Sequence, residues 1–221
     1  MKLFFNALSK LILGIMLIAI LLFLPAKTFL YPGAWLFIGL LFIPMLIMGI
    51  ILFIKAPELL KRRLNAKEKE KAQKGVVMLC GLAFPLGFVI SALDFRFGWS
   101  DVPLWLTIAA SISFILGYAM YAEVMRENAY LSRTVEVAKN QTVIDTGLYA
   151  IVRHPMYLAT LFMFLPLPLI LCSFFGLIPF ALYPFVIIVR ILNEEKILTT
   201  ELNGYAEYKS KVKYRLIPFI W

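Results

Sequence analysis

Charged residues are scarce in this sequence of 221 residues. Only 16% of them are charged, whereas 62% are hydrophobic, and the mean hydropathy is +0.87. A chain of this length cannot bury so much apolar surface in a water-soluble core, which excludes an ordinary soluble globular enzyme. The same hydrophobicity excludes a disordered chain. We therefore expect an all-α, polytopic membrane protein.

Residues that build metal sites and common nucleotide sites are also few. The sequence has one histidine, His154, and two cysteines, Cys80 and Cys172, which lie in apolar segments without CxxC spacing. We therefore expect no metal site. The sequence also lacks the glycine-rich motifs of dinucleotide-binding and phosphate-binding loops, and the GxSxG motif of serine hydrolases.

Long apolar runs are the dominant feature that is present. The first four runs cover about residues 8–24, 34–54, 76–93 and 104–122. The last apolar stretch covers residues 155–189, and Pro166, Pro168, Gly176 and Pro179 interrupt it near its middle. As a helix it would be about 52 Å long, too short for two full crossings. We predict about six membrane segments: four spanning helices and a short or tilted C-terminal helical hairpin.

The distribution of positive charge predicts the orientation in the membrane. The formal net charge is +9, from 22 Lys and Arg against 13 Asp and Glu. With an even number of crossings, both termini are cytoplasmic, and every basic residue except Lys27 and Arg96 falls on that side. Many lie in residues 55–74, where we expect an exposed helix beside anionic membrane lipids. The positive-inside rule explains this charge, so no nucleic-acid partner is expected.

Two polar clusters remain outside the apolar runs. In the first, residues 141–157, Gly147 marks a turn and Pro155 suits the first turn of a helix. Arg153 and His154 therefore lie where a membrane helix begins, and its N-terminus is a site for a carboxylate or phosphate. Alternatively, both residues are interfacial anchors and the neighbouring tyrosines belong to the aromatic belt of the membrane.

The second polar cluster lies at the end of the last apolar stretch. Arg190 and Glu194 are four residues apart and share a helix face, and Glu195 follows. Because the hairpin returns to the side where it began, we expect this cluster close to Arg153 and His154. The alternative is a surface ion pair, which contributes less than about 1 kcal/mol.

The C-terminal part of the chain carries an ordered set of short motifs. They are GLY at 147–149, RHPMY at 153–157, EE at 194–195, GYAEY at 204–208 and RLIP at 215–218. Together they resemble the isoprenylcysteine carboxyl methyltransferase family, and related phospholipid methyltransferases share the RHPxY and EE motifs. The resemblance covers about residues 128–221. We therefore expect two regions: N-terminal transmembrane helices over residues 1–122, which the apolar runs predict, and a methyltransferase-like catalytic region over residues 123–221, which the resemblance implies.

The resemblance also implies S-adenosylmethionine (AdoMet) as the cofactor, bound at the cytoplasmic side. Residues that match the family's cofactor-binding positions are Gln141, Thr142, Val143, Ile144, Tyr149, His154, Pro155, Met156, Tyr157 and Glu194. Arg190 matches an arginine that the family directs toward the substrate. Gln141 stands where a histidine often occurs, and Ala159 where many members have glycine, as in the bacterial branch.

The catalytic assignments follow from the chemistry of methyl transfer. Glu194 is expected to pair with the ammonium of AdoMet, and N–H groups near Pro155 to take its carboxylate. A carboxylate acceptor would be held in line by Arg190 and needs no general base. An amine acceptor would instead need a proton acceptor, for which Glu195 is the candidate. Arg190 and Glu195 are therefore predicted to be catalytic. Arg153, at the start of the same membrane helix as His154, is the third predicted catalytic residue.

The expected methyl acceptor is a lipophilic small molecule or a prenylated molecule that arrives through the bilayer. The carboxylate of an isoprenylcysteine-like compound is favoured. Three alternatives stay open: a phospholipid or lipid amine N-methyltransferase, a membrane reductase of the sterol type that uses NADPH, and a non-enzymatic membrane protein. In each case the expected location is a multi-pass protein of the membrane, the inner membrane if the source is bacterial.

Overall fold

The computed structural model of the protein describes residues 2–65, 71–132, 137–138 and 140–221, without the side chains of residues 71–74, 76 and 77. Within these ranges the chain is helical and contains no strand. The α-helices are α1 Lys2–Ala26, α2 Pro32–Lys55, α3 Pro57–Leu64, α4 Lys71–Phe97, α5 Leu104–Glu127, α6 Pro155–Phe164, α7 Leu167–Ile170, α8 Leu177–Phe180, α9 Tyr183–Glu201 and α10 Tyr205–Lys211. A 3-10 helix, Gly147–Ala150, lies between α5 and α6.

Five segments in the described part of the chain are long and apolar enough to cross a membrane. They are Lys2–Ala26, Pro32–Lys55, Met78–Phe97, Leu104–Glu127 and Leu177–Glu201. A shorter apolar segment, Pro155–Ile170, precedes the last of them. The predicted all-α membrane fold is therefore confirmed. The last apolar stretch ends at residue 189 in the sequence, but the helix of the second hairpin arm continues through the second polar cluster and ends twelve residues later, at Glu201.

The basic segment after α2 is only partly an exposed helix. Helix α3 begins at Pro57 directly after the end of α2 at Lys55, and its Leu59 and Leu60 are buried against the protein. One face of this short helix is therefore packed rather than exposed. Residues 66–70 lie outside the described residues, so the expectation for the rest of the segment stays a prediction.

An aromatic core joins the N-terminal helices to the C-terminal hairpin. The ring of Phe37 lies 5.5 Å from that of Phe88 and 6.1 Å from that of Phe114, and Phe88 in turn lies 5.8 Å from Phe180, measured between ring centres. A Cβ atom at Gly87 would lie 2.3 Å from the Phe180 ring. Glycine is therefore required at position 87 for α4 to approach the hairpin this closely.

Hydrogen bonds fix the tip of the hairpin to the loops at one end of the bundle. The buried carboxylate of Asp94, near the end of α4, accepts hydrogen bonds from the Ser100 hydroxyl at 2.6 Å and the Ser173 hydroxyl at 2.5 Å. The Tyr31 hydroxyl, just before α2, donates to the Leu171 carbonyl oxygen at 2.6 Å. The hairpin therefore reaches the same end of the molecule as the α1–α2 and α4–α5 loops.

Helix α5 supports α6, the first arm of the hairpin. A Cβ atom at Gly117 would lie 2.7 Å from the Ala159 carbonyl oxygen, and the Ser113 hydroxyl donates to the Phe162 carbonyl oxygen at 2.9 Å. Small residues thus allow the two helices to approach closely. Helix α5 also runs through the predicted boundary at residue 122 and ends at Glu127, and the division into two regions stays a prediction.

Candidate active site

A cleft opens where α6 begins, facing α9 and α10. It contains about 870 Å³ of space not filled by atoms, part of which is open to solvent. Its walls contain all ten residues predicted to bind the cofactor, together with Arg153 and Arg190. The third residue predicted to be catalytic, Glu195, is not part of the wall. The two polar clusters therefore share one cleft.

Tyr157 connects the two polar clusters. Its hydroxyl donates a hydrogen bond to Glu194 Oε2 at 2.5 Å and accepts one from Arg190 Nε at 2.8 Å. The guanidinium carbon of Arg190 lies 5.9 Å from the centre of the Tyr157 ring. Because Arg190 and Glu194 lie one helical turn apart on α9, a single tyrosine on α6 contacts both. An anionic and a cationic group are thus held side by side in the cleft.

Glu195 lies at the centre of a buried ion cluster. Its Oε1 accepts a hydrogen bond from Arg153 Nε at 2.7 Å, and its Oε2 accepts one from Arg215 Nε at 2.9 Å. His154 Nε2 lies 3.4 Å from Oε1. Glu195 is only 5% exposed, so both guanidinium groups bind it with little competition from water. This differs from the expectation that Glu195 faces the substrate as a proton acceptor.

The groups expected to bind an anion at the start of α6 are bound within the protein. Besides Glu195, the Arg153 guanidinium donates to the backbone oxygens of residues 212 and 213, at 2.7 and 2.9 Å. The backbone N–H of Arg153 donates to the Tyr214 oxygen, and that of His154 to the Arg215 oxygen, both at 2.9 Å. The segment after α10 and Glu195 therefore occupy the Arg153 guanidinium, which the sequence suggested for a carboxylate or phosphate, and this segment also occupies the two backbone donors just before α6.

Two loop segments form the remaining predicted part of the wall. The backbone N–H of Ala138 donates to Gln141 Oε1 at 2.8 Å, and the Gln141 N–H donates back to the Ala138 oxygen at 3.0 Å. Val143 packs beside α10, and Gly147 has a φ of +55°, which confirms the predicted turn. These contacts hold residues 141–144 beside the cleft.

Tyr149 is fixed by hydrogen bonds at both its hydroxyl and its backbone. The Asn128 amide donates to its hydroxyl at 2.9 Å, and the Tyr208 hydroxyl donates to its carbonyl oxygen at 2.7 Å. Burial raises the pKa of Tyr149 to about 12, so its ring stays neutral at physiological pH. Tyr149 therefore offers the cleft a fixed, uncharged aromatic ring.

Tyr205, at the start of α10, has an unused hydrogen-bond donor. The residue lines the cleft and is 3% exposed, and its ring centre lies 5.7 Å from that of Tyr208. Its hydroxyl has no hydrogen-bond partner among the residues that the structure describes. Burial raises the pKa of Tyr205, and the carboxylates of Glu195 and Glu194 raise it further, so the hydroxyl stays protonated.

Part of the chain matches a known family. Residues 108–200 match the model of the isoprenylcysteine carboxyl methyltransferase (ICMT) family. Over these residues the chain is similar to the ICMT family. The matched region begins in α5 and ends in α9, so it includes both polar clusters but not α10. The match supports a methyltransferase, and the five candidate spans in the described part of the chain support a multi-pass membrane protein. No curated protein matches the chain closely enough to count as a relative.

The cleft also has wall residues that the sequence did not assign to the site. These residues are Asn128, Tyr130, Leu131, Ser132, Ile197, Leu198, Leu202, Tyr205 and Tyr208. The GYAEY motif was a usable signal for the two tyrosines of α10. Nothing in the sequence indicated that residues 128–132 belong to the site. A loop that forms the wall of a cleft has no periodic spacing of hydrophobic residues by which it could be recognised.

Arg63 of α3 connects the N-terminal helices to the cleft. Its Nη1 donates to the Ser132 carbonyl oxygen at 2.9 Å and lies 3.8 Å from the Met156 sulfur, and both of these residues line the cleft. The guanidinium also forms a hydrogen bond with the Tyr121 hydroxyl. The site therefore depends on a residue outside the region that matches the family.

Proposed function

We propose that the protein is an AdoMet-dependent carboxyl methyltransferase that acts on a lipophilic, isoprenylcysteine-like acceptor. The observation that carries this proposal is the arrangement of Glu194, Tyr157 and Arg190 in one cleft of a chain that is similar to the ICMT family. A cationic cofactor and an anionic acceptor require an acidic and a basic side chain next to each other. Tyr157 holds these two side chains together.

The residues on the cleft wall suit the chemical groups of AdoMet. Glu194 supplies a carboxylate for the ammonium, and the rings of Tyr149 and Tyr157 suit adenine or the sulfonium. The unused hydroxyl of Tyr205 is a further polar group that a polar ligand would satisfy. When bound, AdoMet supplies an activated methyl group on its sulfonium. We assign the remaining wall, formed by residues 141–144 and 154–156, to the same ligand.

Arg190 is the residue that we assign to the acceptor carboxylate. Methyl transfer is a one-step displacement, so the protein contributes chiefly by aligning the nucleophile with the methyl group. A carboxylate is ionised at neutral pH and needs no base. The hydrogen bond from Arg190 to the Tyr157 hydroxyl restricts the guanidinium, which favours one orientation of a bound carboxylate. Apolar residues exposed on α9 beside Arg190, such as Val189 and Leu192, would allow an acceptor to approach from the bilayer.

We infer that Glu195 and Arg153, both predicted to be catalytic, position the site instead. Each is buried in the ion cluster and bound by other parts of the chain. An amine acceptor would need Glu195 to take a proton, but two arginines stabilise its ionised form and it lies off the cleft wall. These contacts favour a carboxylate acceptor over a lipid amine. We propose, from the positive-inside distribution, that the cleft and both termini are cytoplasmic.

A transfer assay with labelled methyl tests this proposal. The purified protein in lipid nanodiscs is incubated with AdoMet carrying a tritiated methyl group and with N-acetyl-S-farnesyl-cysteine. The expected result is label that base releases as methanol, because base hydrolyses a methyl ester. Base-stable label in a lipid extract would instead support the N-methyltransferase alternative. A thermal shift with NADPH but none with AdoMet would support a reductase. If the protein bound neither compound, that result would support a non-enzymatic membrane protein.

Two substitutions test the assigned residues. Glu194→Ala and Arg190→Ala are each expected to abolish methyl transfer while the protein stays folded. Glu201→Ala, on an exposed position of the same helix, is the matched control and should retain activity. Full turnover in either of the first two purified variants would contradict its assigned role.

A further inference from the structure

The amino-acid part of the proposed cofactor needs a hydrogen-bond donor that Arg153 and the backbone of His154 do not supply. Its ammonium and its carboxylate are attached to the same carbon, so a protein that binds one at Glu194 needs a donor for the other nearby. The carboxylate was expected at N–H groups near Pro155, and the donors just before this residue are the guanidinium of Arg153 and the backbone N–H groups of Arg153 and His154. All three donate to Glu195 or to the segment after α10 instead.

Tyr205 supplies a donor at this end of the cleft. Its side chain is 97% buried on the cleft wall, and its hydroxyl has no partner among the described residues. Gly204 adopts a φ of +83° immediately before it, and this left-handed turn starts α10 with Tyr205 packed against the wall. Glu194 lines the same cleft as Tyr205.

A buried hydroxyl without a partner destabilises the protein unless a ligand satisfies it. Tyr205 is not needed to hold α10 by a hydrogen bond, since the Tyr208 hydroxyl already ties this helix to the Tyr149 carbonyl oxygen. The neutral phenol donates without adding a charge next to Glu194. A carboxylate is the acceptor that gains most from such a donor.

We propose that the Tyr205 hydroxyl donates a hydrogen bond to the carboxylate of the cofactor's methionine part, and so recognises the amino-acid half of the molecule. The inference rests on the proposed AdoMet-dependent function. It assigns to ligand recognition a residue of α10 that lies beyond the region matching the family, residues 108–200.

Two stable probes separate the halves of the cofactor. S-adenosylhomocysteine contains the amino-acid part, whereas 5′-methylthioadenosine lacks it and keeps the nucleoside. Isothermal titration calorimetry of the full-length protein in detergent would compare wild type with Tyr205→Phe. We expect the variant to bind S-adenosylhomocysteine about tenfold more weakly, as for a lost hydrogen bond to a charged group, and to bind 5′-methylthioadenosine as wild type does.

Tyr208→Phe is the matched control, with the same chemical change three residues away. Its hydroxyl is bonded to the Tyr149 backbone, so this variant should lower the melting temperature and leave the affinity ratio of the two probes at its wild-type value. Tyr205→Phe, by contrast, should keep or raise the melting temperature of the ligand-free protein, because it removes a hydroxyl that has no described partner.

Two results would overturn the inference while leaving the cofactor in place. One is an unchanged affinity of Tyr205→Phe for S-adenosylhomocysteine. The other is an equal loss of affinity for both probes, which would place the hydroxyl against the nucleoside or give it a purely structural role. If the wild-type protein binds neither probe, the proposed function itself fails, and that result is distinct from the first two.

Discussion

Replacing Glu195 by alanine tests whether the buried ion cluster holds the site or reacts in it. The carboxylate binds Arg153 Nε at 2.7 Å and Arg215 Nε at 2.9 Å, with His154 3.4 Å away. The substitution removes the negative charge and leaves the guanidinium of Arg153 buried. Arg153 keeps only its bonds to the backbone oxygens of residues 212 and 213.

The size of the effect follows from the burial of each partner. Breaking a buried ion pair by removing one member costs about 3–5 kcal/mol, because the remaining charge is uncompensated. Arg153 is almost fully buried and belongs in this range, whereas the side chain of Arg215 is 31% exposed and adds little. We therefore expect Glu195→Ala to lower the free energy of unfolding by about 3–5 kcal/mol, and Glu195→Gln, which keeps an acceptor oxygen, by less.

Stability and kinetics together separate the two roles of Glu195. Unfolding in a denaturing detergent gives the stability, and transfer of labelled methyl from AdoMet gives kcat and KM for the variant that stays folded. A positioning role predicts that Glu195→Gln raises KM for AdoMet, through the displaced His154, and keeps most of kcat. Loss of kcat at full stability, with an unchanged KM, would refute this reasoning and restore Glu195 as a reacting group.

Two further substitutions test the link between the helices and the helix packing. Tyr157→Phe removes the hydrogen bonds to Glu194 and Arg190 and should lower kcat/KM in the methyl-transfer assay by about ten- to a hundredfold; an unchanged value would show that the link is dispensable. Gly117→Val places a side chain against the Ala159 carbonyl oxygen and should lower stability by about 1–3 kcal/mol or more. Gly49→Val is its control, because a Cβ there would have no described atom within 4 Å apart from its chain neighbours and its own helix backbone. An equal loss in both variants would contradict close packing of α5 on α6.

Local features of the sequence were sufficient to predict most of the fold. Apolar runs of spanning length become helices because the bilayer leaves the backbone no other hydrogen-bond partners. The prolines near residues 166–179 break the last run, since each removes a backbone donor, and the structure ends α6 at Phe164 and begins α9 at Tyr183. The spacing of Arg190 and Glu194 predicted a shared face, and both contact Tyr157 as that spacing requires.

The distinction between the two adjacent glutamates required the structure. Successive helical residues point about 100° apart, so Glu195 shares its face with Ile191, which is fully buried, rather than with Arg190. Its second partner, Arg215, belongs to a segment without regular structure twenty residues later. The path of such a segment depends on tertiary packing, and no local pattern in the sequence predicts it. For the same reason, the sequence could not predict that the backbone N–H groups of Arg153 and His154 are occupied by this segment.

The placement of the site on two arms of one hairpin makes its geometry depend on the opposite end of the molecule. Tyr157 lies on α6 and its two partners on α9, and their hydrogen bonds are 2.5 and 2.8 Å long. A slip of one residue between the arms would shift them by about 1.5 Å and break both bonds. The tip that joins the arms is fixed to neighbouring loops by the Asp94 carboxylate and the Tyr31 hydroxyl. Polar groups distant from the cleft therefore set the register on which the methyltransferase site relies.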